Sequence, residues 1–132
     1  MARELARGGE DARNRAQMRL LETADLEDAR AGLAYLRDMP DVDRHRLGIV
    51  GHSYGGSLSL LLAQAESDLR AIVDFAGAAN SCAHSPALRE RLIAAADRLS
   101  APVFFIHAAN DFSTAPANCS RPRWKSGASR IG

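Results

Sequence analysis

The sequence is short of cysteine, of aromatic residues, of net charge and of long apolar runs, and each shortage removes a class of protein. Cysteine occurs only at Cys82 and Cys119, with no Cys-x-x-Cys or metal-ligand spacing. Two lone thiols suit a reducing compartment, so a cytoplasmic location is expected. The 17 basic and 16 acidic residues leave a net charge of +1. Neither nucleic acid nor an acidic membrane surface is therefore expected as a partner. No apolar run approaches the roughly 18 residues needed to span a bilayer, and the basic N-terminus lacks the apolar core of a secretory signal. What remains is ordinary: 132 residues, 46% hydrophobic and 25% charged, fit a globular domain rather than a disordered chain.

Helix and strand signals alternate along the chain. Residues 10–37 are rich in Ala, Leu, Arg and Glu and predict helix, with Leu26, Ala29, Leu33 and Leu36 forming one apolar stripe. Thr23, with Asp25 two residues on, is placed to cap a fresh start, which would divide the segment into two helices. Pro40 ends it. Residues 47–50 (Leu-Gly-Ile-Val) form a short apolar run without alternation, as in a parallel strand covered on both faces. Residues 57–65 predict helix and residues 71–75 (Ala-Ile-Val-Asp-Phe) a second strand. Pro86 is suited to the first turn of a third helical segment, in which Leu88, Leu92, Ala95 and Leu99 keep helical spacing. Residues 103–106 (Val-Phe-Phe-Ile) predict a third strand.

This order implies parallel strands joined by helical crossovers, an α/β layered fold. In open parallel sheets the chemistry gathers at the carboxyl ends of the strands, and Ser53 and Asp111 both fall just past such ends. From Cys119 the chain changes character. "CSRPRWKSGASRIG" carries Arg121, Arg123, Lys125 and Arg130, no acid and no apolar period. Residues 119–132 thus read as a basic, solvated tail, with nucleic-acid binding the competing reading. The domain is expected over residues 1–118, with a helical segment at 10–38 and a core at 47–117.

The chemistry concentrates in Gly51-His52-Ser53-Tyr54-Gly55. Average residue usage alone would produce Gly-x-Ser-x-Gly in roughly one chain of this length in thirty. Context makes it informative: it follows a buried-type strand and opens an apolar helix, the setting of a nucleophile elbow rather than of an ordinary glycine turn. A serine on so sharp a turn takes strained backbone angles and brings the residues two before and two after it together, which suits Gly51 and Gly55. The positive end of the following helix favours an oxyanion, to which the Tyr54 N–H would donate.

"DVDRHRLGIVGHSYGGSLSLLLA" with "APVFFIHAANDFSTAPA" resembles the α/β-hydrolase superfamily, in particular dienelactone-hydrolase-like and prolyl-oligopeptidase-type hydrolases. The resemblance covers about residues 21–117. It implies a three-layer α/β fold built on a parallel sheet, and hydrolysis of an ester, lactone or amide bond in a small-molecule substrate, without a metal or organic cofactor. It also implies Ser53 as nucleophile, where dienelactone hydrolases proper use cysteine. Asp111, in "HAAND", matches the family's triad acid, which orients a catalytic histidine.

Two departures bear on activity. The family's histidine falls beyond the acid, where this sequence has its basic tail. The strand that brings the second oxyanion donor would precede Ser53, where this sequence reads as helix. The chain therefore resembles an incomplete, truncated or frameshifted member with about three strands. Among its histidines, His45 lies at the wrong end of the first strand, and His52 adjoins the nucleophile but diverges from it. His107 takes a packing position, and His84 is the one placed to substitute. Asp74 is the runner-up acid, or else a buried hydrogen-bonded group. The competing function is a non-catalytic fragment or pseudoenzyme that associates with a partner chain, and the unpaired sheet edge at the first strand is expected to allow self-association.

Overall fold

The computed structural model describes residues 2–77 and 83–110, the first seven of these by backbone alone. Two helices come first, α1 (Ala2–Glu22) and α2 (Ala24–Asp38), followed by β1 (Gly48–His52), α3 (Tyr54–Ala65), β2 (Ala71–Phe75), α4 (Pro86–Ala96) and β3 (Val103–Ile106). α1 breaks at Gly9, whose φ of 67° lies in the region that glycine alone enters freely. The division at Thr23 is as expected, but its chemistry is reversed. The Thr23 hydroxyl donates 2.7 Å back to the Arg19 carbonyl, closing α1, and makes no cap on α2. Pro40 lies just beyond the end of α2, and Pro86 stands in the first turn of α4, as its fixed φ favours.

The three strands form one parallel sheet in the order β1-β2-β3. Val50 pairs with Val73, and Val73 with Phe104, so one row runs straight across the sheet. Strand order following chain order, with right-handed crossovers, puts the connecting helices on one face. That face carries Ile72, Asp74 and Val103, all buried, while Leu60, Leu61, Leu88, Leu92 and Ala95 fill the space between sheet and helices.

Among the described residues, no element packs on the opposite face. Val50 is 72% exposed, and Phe75 and Phe104 are also exposed. The expectation that β1 is covered on both faces is thus corrected: its apolar run reflects one packed face and one open one. β1 also extends past Val50 to His52, and α3 starts at Tyr54 rather than at Ser57. Leu36, expected in the buried stripe of α2, is exposed, whereas Leu33 is buried. Among the described residues no helix is long and apolar enough to cross a membrane.

α2 lies along α3 and is pinned to it at both ends. Near the start of each helix the Tyr54 hydroxyl donates to the Asp25 carboxylate, an offset of 29 residues. At the far end Arg37 Nη1 donates 3.0 Å to Glu66, again an offset of 29, and Arg30 Nε reaches the same carboxylate at 2.8 Å. Equal offsets mean that the two helices run parallel and in step. The two guanidinium groups lower the Glu66 pKa against the opposing effect of burial, led by the hydrogen bond from Arg30.

Candidate active site

Ser53 occupies the single step between the end of β1 and the start of α3, with φ 54° and ψ −115°. A non-glycine residue there costs about 1–3 kcal/mol and persists only where its surroundings fix it. They do so on two sides. The Ser53 N–H donates 2.9 Å to the Phe75 carbonyl at the end of β2, and the Ser53 carbonyl accepts from Gly56 N–H at 3.0 Å. The hydroxyl does not cap α3, and the residue is exposed. The alcohol therefore projects from a constrained main chain at the carboxyl edge of the sheet, beside the amino end of a 12-residue helix.

The flanking glycines divide their work unequally. A β-carbon on Gly51 would stand 2.0 Å from the Gly55 carbonyl oxygen and 2.4 Å from Ser59 Oγ, an impossible fit against backbone. Ser59 in turn donates 2.8 Å to that same carbonyl, holding it in place. A β-carbon on Gly55 would meet nothing within 4 Å. The close approach is real, but it constrains Gly51 alone. Gly56 is the second obligatory glycine, since a β-carbon there would lie 2.4 Å from Asp74 Oδ1 and 2.7 Å from Gly77 Cα. The doubled glycine in "SYGG" was the available sign of this, and only the adjacency of α3 to the end of β2 gives it meaning.

Asp74 faces the helices from β2 and is 0% exposed. Its Oδ1 accepts the Gly77 N–H at 2.7 Å, while Oδ2 is buried without a hydrogen-bond partner among the described residues. Burial raises its pKa to about 6, opposed by the Gly77 N–H and by the charge of His107. The next residue but one, Ala76, has a φ of 52° and donates 2.8 Å to the Ile106 carbonyl. Adjacent strands thus both end in a strained non-glycine step.

The remaining candidates are dispersed. Asp111 lies outside the described residues. His45 sits in the turn before β1, at the far end from Ser53, where its carbonyl accepts from Arg70 Nε at 3.0 Å. The His52 ring packs against Phe75 on the open face, with centroids 5.2 Å apart. His107 follows β3 beside Asp74, and His84 is exposed just ahead of α4. The side chain of Tyr54, by contrast, has a function that periodicity did not announce. Its half-buried phenol is bound to Asp25, and burial followed by that hydrogen bond raises its pKa above the ordinary tyrosine value.

A parallel α/β sheet with its exposed serine on a strained strand-to-helix step is the arrangement of an α/β-hydrolase-type fold, here with three strands among the described residues. The family model for the dienelactone hydrolase family matches residues 3–125, and the chain belongs to that family. No curated protein matches it.

Proposed function

We propose that the chain is a serine hydrolase acting on ester, lactone or amide carbonyls of a small-molecule substrate, with Ser53 as nucleophile on a Gly-x-Ser-x-Gly elbow, in the cytoplasm. The observation that carries this reading is the Ser53 backbone at φ 54°, with the side chain exposed beside the start of α3. Such strain on an exposed serine stabilises nothing in the fold and is what presentation of a reactive hydroxyl requires.

In the reaction, Ser53 Oγ attacks the carbonyl carbon and its proton passes to an imidazole base, for which His84 is the candidate that this sequence offers. The oxyanion forms against the Tyr54 N–H at the amino end of α3, where the helix dipole favours negative charge. Collapse of the tetrahedral intermediate breaks the bond to the leaving alcohol or amine, which takes the proton from the imidazole. Water, deprotonated by the same imidazole, then releases the acid and restores Ser53. Asp111, past the end of β3, is the acid assigned to hold that imidazole in the productive tautomer. An alcohol, unlike a thiol, is a weak nucleophile near neutral pH without such a base.

Hydrolysis of short-chain p-nitrophenyl esters tests the reading. Turnover above background in the parent, lost in Ser53→Ala at unchanged circular dichroism, supports it. Turnover that survives in Ser53→Ala overturns it.

A further inference from the structure

We infer that Asp25, on α2, is a positioning residue for acylation: it holds the Tyr54 phenol and so fixes the residue whose main-chain N–H faces the developing oxyanion. The inference rests on the proposed role of Ser53. Tyr54 is the first residue of α3 and directly follows the strained Ser53, so any rotation of that first turn moves both the hydroxyl and the N–H. Three backbone hydrogen bonds restrain Ser53 itself, one from its N–H to β2 and two accepted by its carbonyl from Gly56 and Ser57 within α3. The bonds to its carbonyl orient the peptide plane that the Ser53 C=O shares with the Tyr54 N–H, and none of the three holds the Tyr54 side chain.

The side chain adds a second restraint on that peptide, through the Tyr54 α-carbon. The Tyr54 hydroxyl donates to the Asp25 carboxylate in a half-buried position, and a hydrogen bond to an ionised acceptor is about twice as strong as a neutral one. The second pin, Glu66 with Arg30 and Arg37, stops α2 from sliding along α3, and the matching 29-residue offsets keep the two pins in register. α2 therefore acts as a splint for α3, and Asp25 is the end of the splint that reaches the site. Asp25 also stands in the first turn of α2, where a carboxylate is favoured by that helix's own dipole. It is thus held independently of Tyr54.

Such a role separates from simple stabilisation in the kinetics of Ser53 modification by a fluorophosphonate. Asp25→Ala and Tyr54→Phe should each lower the maximal labelling rate by about tenfold to a hundredfold, the range for a misaligned oxyanion donor, and leave the half-saturating probe concentration unchanged. Asp25→Asn, which keeps an acceptor oxygen, should restore part of the rate. The double variant Asp25→Ala/Tyr54→Phe should be no slower than either single one, because both remove the same link. Absorbance titration should show the Tyr54 phenol ionising above the ordinary tyrosine value in the parent and closer to that value in Asp25→Ala. Labelling of the variants at the parental rate overturns the inference and leaves the serine-hydrolase reading standing. A parent that is never labelled at Ser53 overturns both.

Discussion

Gly51 and the carbonyl of Gly55 approach each other so closely across the serine turn that no β-carbon fits between them, the Cβ position of residue 51 lying 2.0 Å from that oxygen. The relation is one-sided. Gly51→Ala should cost about 1–3 kcal/mol through overpacking against backbone and should displace Ser53. Gly55→Ala places its methyl in open space within the first turn of α3, and should add about 0.5–1 kcal/mol through helix propensity with Ser53 reactivity retained. Urea denaturation of the two variants beside the parent checks both signs.

Asp74 makes the stability of the fold depend on pH. Its folded pKa of about 6 lies above the ordinary carboxylate value, so the folded state holds a proton that the unfolded chain releases. The Asp74 contribution to stability should therefore be greatest below about pH 4, fall as pH rises towards about 6, and level off above that, a loss of at most about 3 kcal/mol. Asp74→Asn keeps an acceptor for the Gly77 N–H and puts a neutral amide where the unpartnered Oδ2 lies. Urea midpoints between pH 4 and 7 should lose most of this slope in that variant, and stability at pH 7 should rise.

The open face of the sheet carries Val50, Val73 and Phe104 in one register row, with Phe75 and Ile106 beside them. Exposed apolar rows of this kind promote association. Sedimentation velocity over a range of concentrations should show self-association in the parent and less of it in Val50→Lys, whose long side chain can reach water from the same site. Equal association in the two would place the contact elsewhere.

The nucleophile's base can be supplied from outside. If imidazole is what limits acylation of Ser53, added imidazole should accelerate its labelling in proportion to the concentration of the neutral form, with no effect on Ser53→Ala. Loss of one member of a serine triad typically lowers the rate by several orders of magnitude, which leaves ample room for rescue.

Much of the fold was legible because its signals are local. β2 and β3 fall on residues 71–75 and 103–106 as their apolar runs predict, and Pro86 opens α4. The open sheet face was not legible, because an apolar run such as residues 47–50 looks the same whether one neighbour layer is present or two. The extra three residues of α3 were hidden by the glycine pair, which reads as a turn locally and becomes helical once Asp74 and Gly77 leave no room for a larger residue at 56. At the site, the close approach at Gly51 was legible from the Gly-x-Ser-x-Gly spacing read with the strand before it and the helix after it. Asp25 was not: its adjacency to Thr23 suggested a cap, whereas its carboxylate reaches Tyr54, 29 residues away. Contacts between parallel helices follow from tertiary register, which no single-helix period records.

The most direct test is the site of covalent modification. Reaction with a fluorophosphonate followed by tandem mass spectrometry should place one adduct on Ser53, with Ser57 and Ser59, both buried in α3, unmodified. An adduct spread over exposed hydroxyls, or none on Ser53 in protein with native circular dichroism, would contradict the account.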